Sequence, residues 1–161
     1  MKNLNTPTTN KLNKLAQYTQ IPQDINIKIT QPNYLSFLAG FFEGEGCLSI
    51  GISVSAKHPY GVSLVPYFGV YQHVNGIELL QSFWVLSEGK GTLHPKYGSP
   101  LVWTYELKSI KNIIKYVIPY IHTYVFPFSC KTNEFLTFEH IVLAMEKKEH
   151  LDKNLLCWAK N

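Results

Sequence analysis

The chain has 161 residues and a formal net charge of +4, and all 15 of its basic residues are lysine. That length carries one compact domain with a real core and not two comfortable ones. No apolar run reaches the roughly 18–20 residues that a bilayer span requires, which excludes a membrane-spanning reading. A basic balance suits a polyanionic partner, although a charge of this size is ordinary for a protein surface.

Cys47, Cys130 and Cys157 are far apart, with no C-x-x-C and no Cys/His pairing at zinc spacing. They read as free thiols in a reducing compartment. Asn, Lys, Ile, Tyr and Phe are abundant while arginine is absent, as an AT-rich coding genome would give. That points to an organelle, a mitochondrion or chloroplast. The first 30 residues are rich in Asn, Thr, Lys and Gln and contain no apolar stretch of the signal-peptide kind.

Residues 1–30 read as a polar arm, with a short helix over 11–18, and the domain is expected over 31–161. Pro32 and Asn33 mark a helix start, with Asn33 as the N-cap. Leu35, Leu38, Ala39 and Phe42 recur at helical spacing, and Gly44 and Gly46 are expected to end the helix. Two alternating segments follow. In the first, Leu48, Ile50, Ile52 and Val54 form the apolar face, and in the second Leu64, Pro66, Phe68 and Val70 do so. Period two with one apolar face predicts a half-buried antiparallel pair. Pro66, lacking an N–H, belongs at an edge or bulge. A second helix is predicted over 76–86, with Ile77, Leu80, Phe83 and Trp84 inward, then a turn at Glu88-Gly89-Lys90-Gly91. A second hairpin spans 92–107 around Tyr97-Gly98-Ser99-Pro100. Ser109 caps a third helix to about Ile121, which Pro119 should kink or end. A long helix over 131–149 places Phe135, Phe138, Ile141, Val142 and Met145 on one side. Leu151, Leu155 and Trp158 are placed to pack back. The order predicts an α+β domain, αββαββα, with an antiparallel sheet covered by helices on one face and free on the other.

The segment Leu38-Ala39-Gly40-Phe41-Phe42-Glu43-Gly44-Glu45-Gly46 carries the chemistry. Gly40 and Gly44 are four apart and share a helix face. A helical glycine costs about 1 kcal/mol relative to alanine, a cost tolerated where a second helix approaches closely. Glu43 and Glu45 face the negative end of the helix dipole, so a positive group should offset them. A divalent metal with oxygen ligands is the natural candidate. The residues alone also allow a solvated acidic turn.

This segment resembles the LAGLIDADG signature of homing endonucleases, with Leu38, Ala39, Gly40, Glu43, Glu45 and Gly46 in the motif's places and Glu replacing both aspartates. The resemblance extends over 34–145. It includes Phe68-Gly69-Val70-Tyr71-Gln72, Gly89-Lys90-Gly91, Tyr105-Glu106-Leu107 and Pro127-Phe128-Ser129-Cys130-Lys131. It implies a site-specific, metal-dependent DNA endonuclease, intron-encoded, working as a homodimer because each chain has one motif. By resemblance, Glu45 binds metal with the Gly44 carbonyl, and Mg2+, two or three ions shared by the dimer, is the expected cofactor. Leu38, Ala39, Gly40, Glu43 and Gly44 would line the dimer interface. Lys131 matches a basic residue near the scissile phosphate, and Gln72 a polar residue that organises water. Some relatives carry an arginine a few residues after Gln72, near Gly76 here, and His73 or Lys131 would compensate.

The free sheet face would read double-stranded DNA through Ser49, Ser53, Ser55, Lys57, Ser63, Val65, Tyr67, Tyr71, Thr92, His94, Lys96, Thr104 and Glu106, with Gly51 and Gly69 among them. A β-ribbon can enter the major groove. The alternatives are an intron RNA maturase on the same fold and a DNA-binding regulator without catalysis.

Overall fold

The structure is a computed structural model that describes residues 20–56 and 61–148. The expected helix over 11–18, Lys57, Cys157 and the tail residues Leu151, Leu155 and Trp158 lie outside the described residues.

The elements in chain order are α1 (Gln23–Lys28), α2 (Pro32–Glu45), β1 (Gly46–Val54), β2 (Val62–His73), α3 (Ile77–Leu86), β3 (Thr92–Lys96), β4 (Ser99–Leu107), a long helical run α4 over 110–128, and α5 (Thr132–Glu146). Among the described residues one antiparallel sheet forms in the order β1-β2-β4-β3. This is the expected α+β arrangement, αββαββα, with the long helix α5 after it.

Directly paired residues share a sheet face, so the register sorts the side chains. Leu48 faces Phe68, Val70 faces Tyr105, and Leu93 faces Tyr105. Phe68, Val70, Trp103, Tyr105 and Leu107 are buried under the helices with Leu35, Leu38, Phe42, Leu80 and Phe83. Aromatic rings form the centre: Phe42 stacks on Phe68 at 5.1 Å, and Phe83 meets Tyr105 at 6.5 Å and Tyr120 at 6.1 Å. Each such side chain contributes about 1.5–3 kcal/mol on burial.

Several expectations are corrected by the packing. The packed body begins upstream of Gln31: Ile25 of α1 is wholly buried, and Gln81 Nε2 donates to Gln20 O at 3.1 Å. Asn33 does not cap α2. Gln31 holds that position and Pro32 takes the first turn, where its missing N–H costs nothing. The helix also passes through Gly44 and ends at Glu45. Ile52 and Val54 are 62% and 90% exposed, because the β1–β2 hairpin runs beyond the helices. Pro66 lies in a strand with neighbours on both sides, but β2 pairs with β4 only from Phe68 to His73. At Pro66 one flank of β2 is therefore free.

Ser109 occupies the N-cap position without a side-chain capping bond. Pro119 does not end the third helix. Two π-helical stretches, Ile113–Val117 and Ile121–Val125, flank the α-turn Ile118–Tyr120, and a 3-10 turn Phe126–Phe128 closes the run. Pro119 has no N–H to place, its ring is on the exposed side, and the widened turns absorb the irregularity. The run thus packs along α2: Tyr120 Oη donates to Leu35 O at 3.1 Å near its start, and Ser129, just past the run, bonds Glu43 near its end.

Candidate active site

α2 directs its face of Leu35, Leu38, Ala39 and Phe42 into the core. Its opposite side leaves Ser36, Gly40 and Gly44 exposed, beside Phe37 at 56% exposure. A methyl group at Gly40 or Gly44 would touch nothing within 4 Å in this chain, so neither glycine answers a need of the monomer. Leu38 and Ala39, expected at an interface, are 0% and 4% exposed inside the chain's own core and cannot line one. Gly46 has the reverse role. A Cβ there would collide with the ring of Phe42, so the tight passage from α2 into β1 requires glycine.

The two acids at the end of α2 differ sharply. Glu43 is held by the chain leading into α5: its carboxylate accepts from Ser129 Oγ at 2.8 Å and from the Cys130 N–H at 3.1 Å. These groups sit just ahead of the α5 N-terminus, where the helix dipole favours an anion. Glu43 is thus engaged within its own chain and not free to bridge to another. Glu45 is exposed, and no described residue bonds its carboxylate.

Lys131 closes the arrangement. It stands at the N-cap position of α5, and its Nζ donates to Glu43 O at 2.7 Å. The last carbonyls of a helix lack internal partners and carry the negative end of its dipole. An ammonium there satisfies one of them and places a positive charge beside the last turn of α2. The expected positive group is therefore present as a side chain of the protein. His73 instead serves its own turn, its Nδ1 accepting the Asn75 N–H at 3.2 Å. Gln72, next to the last residue of β2, is on the helix-facing side, opposite Trp103. Its Oε1 accepts the His73 N–H at 2.7 Å, and its side chain lies against Gly76. Ser129 and Cys130 were legible only as part of the Pro127–Lys131 segment, since a backbone N–H leaves no mark in sequence.

Among the described residues no three His, Cys, Asp or Glu groups converge on a point. At the end of α2 the described residues offer a hard cation the unbonded carboxylate of Glu45 beside the carbonyls of the last turn. That donor set suits an oxygen-preferring ion when a second set faces it.

The other sheet face brings together most of the expected residues that are described. Ser49 pairs with Tyr67, Gly51 with Val65, and Ser53 with Ser63. Thr104 lies between Tyr71 and His94, and Glu106 between Gly69 and Thr92. Tyr67 and Tyr71 lean toward each other across Gly69, their hydroxyls 2.8 Å apart, and a Cβ at Gly69 would strike the Tyr67 ring. Burial, then the bond to Tyr71, hold the Tyr67 hydroxyl well above the usual phenol range. Lys96 Nζ lies 5.2 Å from the Tyr71 ring centre and Lys108 Nζ 5.6 Å from that of Tyr67. Lys108, absent from the sequence-based set, follows the last residue of β4. Thr104 is on this face but only 2% exposed, covered by its neighbours. Ser55 follows β1, its N–H bonded to Gly61 O at 2.9 Å.

A sequence profile described as LAGLIDADG endonuclease matches residues 38–142. The DNA endonuclease I-CeuI of Chlamydomonas moewusii is 30% identical over 148 residues, 90% of this chain and 66% of that protein. This chain thus spans slightly under two thirds of that relative. The structure titled group I intron-encoded homing endonuclease I-CeuI complexed with DNA superimposes with a TM-score of 0.72 at 24% identity, over 92% of this chain and 74% of that one. The homing endonuclease I-TnaI gives 0.67 at 25% identity, over 79% and 81%. The I-LtrWI LAGLIDADG homing endonuclease bound to target DNA gives 0.68 at 28% identity, over 79% of this chain and 41% of that one.

Proposed function

The chain belongs to the LAGLIDADG endonuclease family, and we propose that it is a site-specific homing endonuclease that makes a metal-dependent double-strand break as a homodimer. The observation that supports this most is the end of α2, where the free carboxylate of Glu45 stands two residues from a carbonyl held by the Lys131 ammonium at 2.7 Å. An intron-encoded protein acting in an organelle, as the composition suggests, fits the same reading.

Gly40 and Gly44 let the α2 helices of two copies approach, bringing two Glu45 carboxylates and two Gly44 carbonyls together. These groups would hold divalent ions, magnesium by our reading and two or three shared by the dimer, which would supply an activated water and neutralise phosphate charge. The chain's own residues do the rest. Glu43, bonded to Ser129 and Cys130, fixes the start of α5 against the end of α2. Lys131, positioned by that anchor, holds a positive charge where a phosphate would gain charge in the transition state. Gln72, whose Oε1 accepts the His73 N–H, shapes the end of β2 and keeps its amide N–H donors for a water. The sheet face would lie in the major groove and set the site.

The test is cleavage of a randomised duplex library in magnesium, with both strands of each product mapped. Recurrent cuts in one long pseudo-palindrome are expected. Unselective nicking, or no cutting in magnesium or manganese, would overturn the proposal.

A further inference from the structure

Glu106 is an anion on a face proposed to meet a polyanion, and its two oxygens are used unequally. Oε1 accepts from Lys108 Nζ at 2.9 Å and Thr92 Oγ1 at 3.4 Å, and lies 3.6 Å from His94 Nε2. Among the described residues Oε2 has no partner. The Lys108 ammonium has three donors and spends one on Glu106. The pair therefore presents a free donor beside a free acceptor.

We propose that Lys108 and Glu106 together read one G·C base pair in each half-site, an assignment that rests on the endonuclease reading. In the major groove guanine shows the acceptors N7 and O6, and its cytosine shows the donor N4–H2. Lys108 gives its remaining N–H groups to guanine, and Glu106 Oε2 accepts from cytosine. The chain has no arginine to take guanine with a rigid fork, so a flexible lysine must be held in place. Two contacts hold it: the Glu106 bond at 2.9 Å and the face of Tyr67, whose ring centre is 5.6 Å away. Tyr67 is itself locked by the Tyr71 hydroxyl at 2.8 Å and by the space that Gly69 leaves. The position favours a base edge over a phosphate. Lys108 follows Leu107, the partner of Phe68 at the end of the β2–β4 ladder, and its contacts with Glu106 and the Tyr67 ring turn its ammonium over the sheet face and not away from it.

The experiment selects bound duplexes from a randomised pool for the wild-type protein, Lys108→Met, Glu106→Ala and the double exchange Glu106→Lys/Lys108→Glu, with helical content checked by circular dichroism. The wild type is expected to select a G·C pair at one position of each half-site. Lys108→Met and Glu106→Ala should each lower that preference about tenfold at that position alone. The exchanged pair keeps the ion pair and reverses donor and acceptor, so it should turn the preference toward C·G. A uniform loss of binding in Lys108→Met with the base preference intact would show a phosphate contact and overturn this assignment only. A wild type that selects no duplex would overturn the endonuclease reading and this assignment with it.

Discussion

Glu43 and Glu45 are two residues apart on one helix and have opposite surroundings. Glu43 is spent on Ser129 and Cys130, whereas Glu45 is free. Glu45→Gln keeps shape and removes charge, so DNA cleavage should vanish while binding to a selected site persists within a few fold. A gel assay run in parallel with strand-resolved cutting measures both, and full cutting by this variant in magnesium would remove Glu45 from the assignment. Glu43→Gln should instead lower stability by about 1–2 kcal/mol, since it weakens two charge-assisted hydrogen bonds that are partly open to water. Urea unfolding reads that loss, and an unchanged midpoint would show that the Ser129–Cys130 anchor carries no weight. Lys131→Met leaves the Glu43 carbonyl without its ammonium. It is expected to cut ten- to a hundredfold more slowly, with DNA affinity changed far less. Equal losses in both would make Lys131 a binding residue only.

Helix α2 and its exit into β1 carry two kinds of glycine. Gly40 faces open space and Gly46 faces the Phe42 ring. The same enlargement should therefore give different outcomes. Gly40→Leu should leave the fold intact yet yield monomers or aggregates by sedimentation, with the melting temperature lowered only by the lost association, because the added side chain meets only a second copy. Gly46→Ala should cost about 1–3 kcal/mol through displacement of Phe42, with assembly affected only as folding fails. If Gly40→Leu remains a dimer, the α2 face is not the interface. The α4 run shows a related division of labour. His122 Nε2 lies 2.9 Å from Glu139 Oε1, and its ring packs edge-on against Phe135 at 5.1 Å, which ties the second π-helical stretch to α5 and steadies the segment bearing Lys131.

At the scale of the molecule, two copies side by side, as proposed, would set the length of the site. β1 has nine residues and β2 twelve, roughly 30–40 Å at about 3.3 Å per residue. Two sheets in line span roughly 60–80 Å, near 20 base pairs at about 3.4 Å each. Footprinting should protect that length around a pseudo-palindrome, and the family resemblance predicts 3′ overhangs. Protection much shorter than one and a half helical turns, or blunt ends, would contradict two sheets side by side. The core adds a prediction at high pH. Burial pushes the Tyr105 hydroxyl up to about 12, although its bond to Ser87 acts the other way. Burial also raises Tyr120. A phenol whose folded pKa lies above its unfolded value of about 10 contributes stability that is full below pH 10. That contribution falls as pH rises toward 12, by up to about 1.4 kcal/mol per unit for each group. Denaturation midpoints should drop over that window, and Tyr105→Phe should flatten the slope.

The sequence by itself determined the order of elements and the faces of the sheet, because alternation and helical spacing are local and each segment carries its own pattern. Leu48, Phe68 and Val70 inward, with Ser49, Tyr67 and Tyr71 outward, follow from period two alone. It also marked Glu45, Gly40 and Gly44 through one short motif. Only the tertiary structure decided where α2 turns Leu38 and Ala39, since a helix with apolar residues on several sides does not announce which side its own core will take. Contacts between residues distant in sequence were equally invisible: Lys131 on the Glu43 carbonyl, Cys130 on its carboxylate, and Lys108 on the Tyr67 ring. Passage of α4 through Pro119 depended on π-turns that no residue pattern encodes, held by the packing of Tyr120, Ile121 and Val125 against the core. Local patterning specifies which groups are present and which way they alternate, whereas the charges and apertures of the site come from chain segments that meet only when the core closes.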